Sequence, residues 1–408
     1  MQDSSTLLRA LPAEVSDRAL IDAVAEAITP PKITASSSFV LHAPMELIAR
    51  ARLLSLAPPA ARPEGRRRIA EIATRYARSG PEIDPVPPRS YPGAASALAA
   101  LTAAIPAADA ETADSALVWL LERRSRATLL AGIADAVIPA LGAAAHAPIL
   151  LAMFLRSPKM GEAYGALLRA PLRYLTLQGA ARLTWPSRAS APASARCGDL
   201  LDALLSPPRV DSPSMSIAPT MLAVEAGGLA ERLLAAPTQS LSLEDAERSL
   251  LRLAAGSMLQ DDPRHAPYGW THCLTMPQGV LTLAAVAADP RAAIRVAATH
   301  VLGFRATLGT AELEPGRPLP PSATHTLRGA SPLEAASIAF DTPGQKAGAL
   351  RETLAAHAVG HVDAHLAKYT LACFDAADRD SEAAPLYLAA AAYLGAWWDA
   401  NPDAGFSG

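Results

Sequence analysis

Cysteine is scarce in this chain: Cys197, Cys273 and Cys373 are scattered, odd in number and never arranged as CxxC. That spacing excludes a disulfide framework and a zinc knuckle, and it suits a reducing cytoplasm. Aromatic residues make up only 5% of the 408 positions, and runs of Val, Ile and Thr of the kind that build strands are nearly absent. Alanine is abundant instead, so the composition predicts an all-α protein, a single large helical domain over 1–408 with close helix packing. Charge of one sign is also missing. The net charge is −3, with no basic block beyond Arg66-Arg67-Arg68, which argues against nucleic acid as the main partner. MQDSSTLLRALPAEVSDR has no basic start followed by an apolar run, so no secretory signal is visible. Residues 136–155 carry no formal charge, but Pro139, Gly142, His146 and Pro148 interrupt them. Two buried helices, one ending near Gly142 and one starting at Pro148, account for them better than a membrane span does. The expectation is a soluble, cytoplasmic chain. No GxGxxG follows a strand, and neither GxSxG, a P-loop nor an adjacent His-Asp doublet occurs.

Punctuation along the chain is clear in places. Ser16 caps a first helix running to Ile28, Ser242 and Asp245 form a capping box, and Asp289-Pro290 opens a long helix. GPEIDPVPPRSYPG reads as a loop, and residues 185–219 and 310–332 read as Pro-rich excursions. APLYLAAAAYLGAWW is a helix whose aromatic end enters the core.

What the chain does have is a pattern of histidines. Three of the nine open the tripeptide His-Ala-Pro, at His42, His146 and His265. Each precedes an apolar run, and Pro is favoured at the first position of a helix. Each triplet is therefore expected to start a helix with its histidine beside the cap; the competing account is a mere start signal. A second concentration lies in HAVGHVDAHLAKY, where His357, His361 and His365 recur every fourth residue and Lys368 follows. One continuous helix would project them as a stripe, with Asp363 pointing away. Such a stripe is either a metal-binding face or a buried polar seam. His265 and His272, seven residues apart, can share a face if a helix begins at Pro267. Several inward histidines with few carboxylates suit Fe(II), Cu or Zn better than Mg or Ca. Glu46 can ligate, orient His42 or pair with Arg50.

Lys368 is the odd member of this group. Beside a divalent cation it must be neutral, turned aside or modified, and carbamylation would make it an anionic oxygen ligand. Its alternative is to snorkel to the surface. Tyr268, Trp270 and Met276 are candidate walls of an apolar substrate cavity or, equally, ordinary core.

Four blocks, LHAPMELIARARLL, HAPILLAMF, HAPYGWTHCLTMPQG and HVDAHLAKYTLACFDAA followed by LYLAAAAYLGAWW, resemble the questin oxidase-like family. Members are helical oxidoreductases that insert oxygen into anthraquinone-type aromatic polyketides, by Baeyer–Villiger-like or ring-cleaving chemistry at a non-haem iron. The resemblance implies Fe(II) held by His42, His146, His272 and His365, with Lys368 as a candidate fifth ligand. His265 is the alternate in the third block and His361 in the fourth. His265 and Tyr268 stand as candidate catalytic groups. The expected partners are O2 and a small aromatic substrate, with NADPH as a candidate external reductant. Two readings from other classes stand beside it. One is a non-catalytic helical scaffold with structural histidines. The other is a zinc-dependent hydrolase.

Overall fold

A computed structural model describes residues 15–404 except 34–38, 84–88, 125, 158–161, 180, 189–199, 213–215, 311 and 323. The expected chain start, Cys197 and parts of the three proline-rich stretches therefore lie outside the described residues. Among the described residues there are nineteen α-helices and no strand, only two isolated bridges, so the chain is all-α. No described helix is long and apolar enough to cross a membrane.

Four helices position everything that follows: α2 (Phe39–Leu56), α7 (Ala147–Arg156), α14 (Thr271–Ala284) and α18 (Ala364–Arg379). They pack as a closed ring, α2 on α7, α7 on α14, α14 on α18 and α18 on α2. All four run the same way. His42 meets Lys368 at one end of the α2–α18 pair, while Arg52 meets Asp375 a few turns on. Likewise His146 meets His272, and Arg156 reaches the Gln278 carbonyl. The approach of α7 to α14 is close because Gly279 has no side chain. A Cβ there would lie 3.0 Å from the backbone of Ile149.

The remaining helices cover this ring. α3 (Arg62–Ala77) lies on α2, α13 (Leu243–Gln260) and α15 (Pro290–Leu308) lie on α14, and α19 (Ala384–Ala400) lies on α18. One hydrophobic core runs through them, and it includes Trp270, Tyr369, Tyr387 and the aromatic end of α19, Trp397 and Trp398. Ser16, Ser242 and Asp289 cap their helices, each accepting a backbone N–H of the first turn, but the capping box expected at Ser242 is only half made: Asp245 takes the Ser242 hydroxyl (2.6 Å) instead of its backbone N–H.

Two expected helices form differently. The 136–155 stretch is interrupted as anticipated, but α6 (Arg126–Val137) ends before Gly142. A turn at Ala143–Ala145 then carries three alanines at positive φ (50–54°) directly before His146. Each costs of order 1–2 kcal/mol as a left-handed L-residue, so the fold stores strain where it delivers that histidine.

The second difference is larger. His357–Tyr369 is not one helix: α17 (Ala347–Gly360) stops, His361–Asp363 is extended, and α18 begins afresh. Asp363 does not point away; it is the N-cap of α18 and accepts the His365 N–H at 2.6 Å. The freed carbonyls at the end of α17 are taken by arginines from distant segments, Arg50 on Val359 O (2.7 Å) and Arg68 on Gly360 O (2.9 Å). Helix ends need such partners, and these lie about 300 residues away in sequence, beyond any local pattern.

Candidate functional site

His42, His146, His272 and His365 come together inside the ring. Successive ring centroids are 4.7 Å (His42–His146), 5.1 Å (His146–His272), 5.3 Å (His272–His365) and 5.1 Å (His365–His42). Each sits near the N-terminal end of its helix: His146 is the cap residue of α7, while His272 and His365 are second residues of theirs. His42 is the exception to the expected placement. It lies within the first turns of α2 rather than beside its cap, and Pro44 is accommodated inside the helix.

Outer hydrogen bonds decide which ring nitrogens are free. The Nδ1 of His146 faces the carbonyl of Ala144 (2.9 Å) and that of Ala143, and the Nδ1 of His272 faces the Tyr268 carbonyl (2.6 Å). A carbonyl can only accept, so both Nδ1 atoms carry the proton and both Nε2 atoms carry a lone pair. Yet those two Nε2 atoms face one another at 3.2 Å. His365 repeats the arrangement. Its Nδ1 donates to Asp363 (3.0 Å), and its Nε2 is buried without a partner. Lone pair against lone pair is repulsive, so the pair calls for a proton or a Lewis acid. Two nitrogens each ~2.1 Å from one ion, at roughly 90–110°, lie about 3.0–3.4 Å apart, which brackets the observed spacing.

Burial disfavours the proton. It drives the rings of His42 and His272 well below the ordinary imidazole range and His146 down to about 3; the Lys368 amine adds to this. His365 is lowered for the same two reasons. Burial also pushes up the Asp363 carboxyl, but hydrogen bonds from His365 outweigh it and hold the group at about 2. Four neutral imidazoles thus surround a point near the N-terminal ends of α7 and α18, whose partial positive charge opposes a bare cation modestly, while α14 runs on from the π-turn before it. Among the described residues no group of three or more His, Cys, Asp or Glu side chains is placed to hold a metal ion as it stands. The rings are tilted 53–74° to one another around the circuit and would have to turn to aim at one point.

Lys368 does not snorkel. Its amine is buried and stands 2.7 Å from His42 Nδ1. Burial lowers it to about 8, with Asp363 and Glu46 pulling the other way. As an ammonium it donates to Nδ1, and neutral His42 must then keep its proton on Nε2. As a free amine it can accept from Nδ1–H, which leaves Nε2 with its lone pair. The protonation of Lys368 therefore governs whether His42 joins the other three. Glu46 takes the third of its three options and pairs with Arg50 at 2.7 Å.

Other expected members fall elsewhere. His361 accepts the Asp363 N–H and leans on Trp398 and His357, on the far side of the helix break. His265 stays half-buried beside Trp270, because a π-helical turn at Ala266–Trp270 separates it from His272 and spoils the shared face. Tyr268 does reach the cluster, its ring 4.6 Å from that of His272 and 6.1 Å from that of His365; burial raises its phenol. None of the three expected walls lines the cleft: Trp270 and Met276 are core, the Trp270 indole donating to the Asp262 carbonyl, and Tyr268 packs on the histidine rings outside it.

The cavity is a narrow, solvent-open cleft that reaches His272, His365 and Lys368. It runs between α7, α14 and α18, lined by Ile149 and Met153, by Thr275 and Gln278, and by Tyr369 and Asp375. Arg156, also in its wall, was not singled out by sequence. A signal existed: Arg52, Arg156 and Asp375 each follow a cluster histidine by ten residues, about 15 Å along a helix rising ~1.5 Å per residue. Compared with known proteins, the chain matches no family model, no curated protein and no solved structure.

Proposed function

We propose that the chain is a metal-dependent oxidoreductase, a non-haem iron oxygenase that inserts oxygen into a flat aromatic substrate of polyketide or phenolic type. The observation that carries the metal is the Nε2–Nε2 approach of His146 and His272 with both Nδ1 protons committed to carbonyls. His365, whose buried Nε2 is unpaired, supplies the third donor, and His42 the fourth once Lys368 is neutral. Bound there, Fe(II) would supply dioxygen activation at a position the histidines leave open.

The protein's own groups do the rest. Asp363 and the carbonyls of Ala144 and Tyr268 hold three rings in the tautomer that presents Nε2. The cleft offers a substrate access beside His272 and His365, along a partly apolar wall. Tyr268 keeps its proton at neutral pH and is the candidate donor to a reacting oxygen. His265, half-buried beside Trp270, has no such position. An unprotonated Lys368 amine can add to carbon dioxide, forming an N–C bond and releasing one proton. The resulting carbamate would offset the charge that four neutral imidazoles leave uncompensated. Two free thiols, Cys273 and Cys373, buried and pushed up by that burial, fit the cytoplasmic setting included in this reading. NADPH, where a reductant is needed, acts from solution.

The test is metal analysis of anaerobically purified protein, followed by oxygen uptake with hydroxylated anthraquinones. About one iron per chain, lost in a His146→Ala, His272→Ala double variant, supports the reading. Stoichiometric zinc without oxygen uptake replaces it with metal-assisted hydrolysis, and no bound metal leaves the histidines structural.

A further inference from the structure

The cleft has a second polar group about 15 Å from the histidines, measured along the helices at ~1.5 Å per residue. Here α2, α7 and α18 bring Arg52, Arg156 and Asp375 together, and α13 adds Glu247. Both carboxylates are claimed by other arginines. Asp375 is held by both Arg52 terminal nitrogens (2.6 and 2.9 Å), and Glu247 by Arg379 through Oε2 alone (2.7 Å); its Oε1 is buried without a hydrogen-bond partner and faces Arg156. Arg156 stands off at 3.5 Å from Glu247 and 3.7 Å from Asp375, and its Nε is buried with no hydrogen-bond partner. Three guanidiniums thus share two carboxylates, and the cation left short is the one that lines the cleft. A buried arginine in this state is a strong site for a planar anion, which its fork can bind at two points. The walls between Arg156 and the histidines are mostly apolar: Ile149, Ala152, Met153 and Leu371.

We propose that this cleft binds an elongated aromatic acid, its carboxylate on Arg156 and its far end at His272 and His365. This names a substrate class for the reaction centre described above and rests on that reading. The same fork would take an acidic phenolate, which shares the carboxylate's charge, while a neutral aromatic would leave Arg156 short of an acceptor.

The test is calorimetric titration of the purified protein with 2-naphthoate and with its neutral counterpart 2-naphthamide. The wild type is expected to prefer the acid by about tenfold or more, the margin of a charge-assisted pair over a neutral one. Arg156→Met should erase the preference and Arg156→Lys keep part of it. Met153→Trp leaves all five charged groups in place and should block both ligands by filling the cleft, which guards against a misfolded Arg156 variant. Equal affinity of the wild type for acid and amide overturns the proposal; so does a preference that survives Arg156→Met, or binding untouched by Met153→Trp. Iron content is read on the same samples. Stoichiometric iron without acid preference overturns the anchor and leaves the metal reading standing. Acid preference without metal supports the anchor and overturns the iron.

Discussion

Two histidine groups lie within a few residues of each other on the chain and behave oppositely. His365 belongs to a closed circuit of four rings, its Nδ1 tied to a carboxylate and its Nε2 left without a partner. His357 and His361 belong to a pair at the rim, where His357 meets the exposed Asp399 at 3.1 Å and His361 rests on Trp398. Composition does not separate them. What does is the three-residue break at His361–Asp363, which turns α18 inward and leaves α17 outside. A histidine becomes a candidate ligand here when its second nitrogen is fixed by a neighbour and its first is deprived of one.

The sharpest way to break the comparison is to remove members of each group and count metal. His146→Ala, His272→Ala is expected to lose bound metal and oxygen uptake altogether. His357→Ala, His361→Ala should keep both near wild type, measured by elemental analysis and an oxygen electrode. Equal loss in the two variants would dissolve the distinction. Next in size is Asp363→Ala, which frees the His365 ring while leaving every proposed ligand in place. A fixing partner of this kind is worth about 10–100-fold in metal affinity, and competition with a chelator will measure it.

Acid sharpens the comparison further. His146 has a folded value near 3 against an ordinary one of 6.5, so the unfolded chain takes up its proton first as pH falls. Its stability contribution is therefore complete above pH 6.5 and is lost on the way to 3, at about 1.4 kcal/mol per unit. Urea unfolding of metal-free protein should show a midpoint that falls steeply below pH 6.5. His300 on α15, buried and lowered to about 3, falls with the same sign, so His300→Leu should flatten part of the slope. A midpoint unchanged between pH 7 and 5 would contradict buried neutral imidazoles.

Two smaller effects complete the series. Ala144→Gly relieves one left-handed alanine and is expected to stabilise the fold by roughly 1 kcal/mol in thermal unfolding. Asp399→Ala removes the rim contact of His357 and should change stability by less than about 0.5 kcal/mol, as exposed pairs do.

Helix content, the caps at Ser16, Ser242 and Asp289, and the interrupted 136–155 stretch were legible because each depends on neighbours in sequence. His42, His146, His272 and His365, which the structure brings together, were singled out by the family resemblance; the residues alone left His265, His357 and His361 beside them. The break at Gly360 was not legible, since Arg50 and Arg68 stabilise it from the other end of the chain. The separation of His265 from His272 was hidden for a different reason. A seven-residue spacing promises a shared face only in a regular helix, and one π-turn undoes the register. Arg156 was missed because a single arginine among apolar residues looks like a helix end until its partners are seen to be taken.

Because the four histidines come from segments spread from α2 to α18, no fragment of the chain can assemble the circuit. During synthesis the first ring to emerge waits for the last, and only a finished fold would offer an ion more than the one or two donors of a loose peptide. Loading would then follow folding rather than guide it, and a chain stalled before α18 would leave the cell's metal untouched.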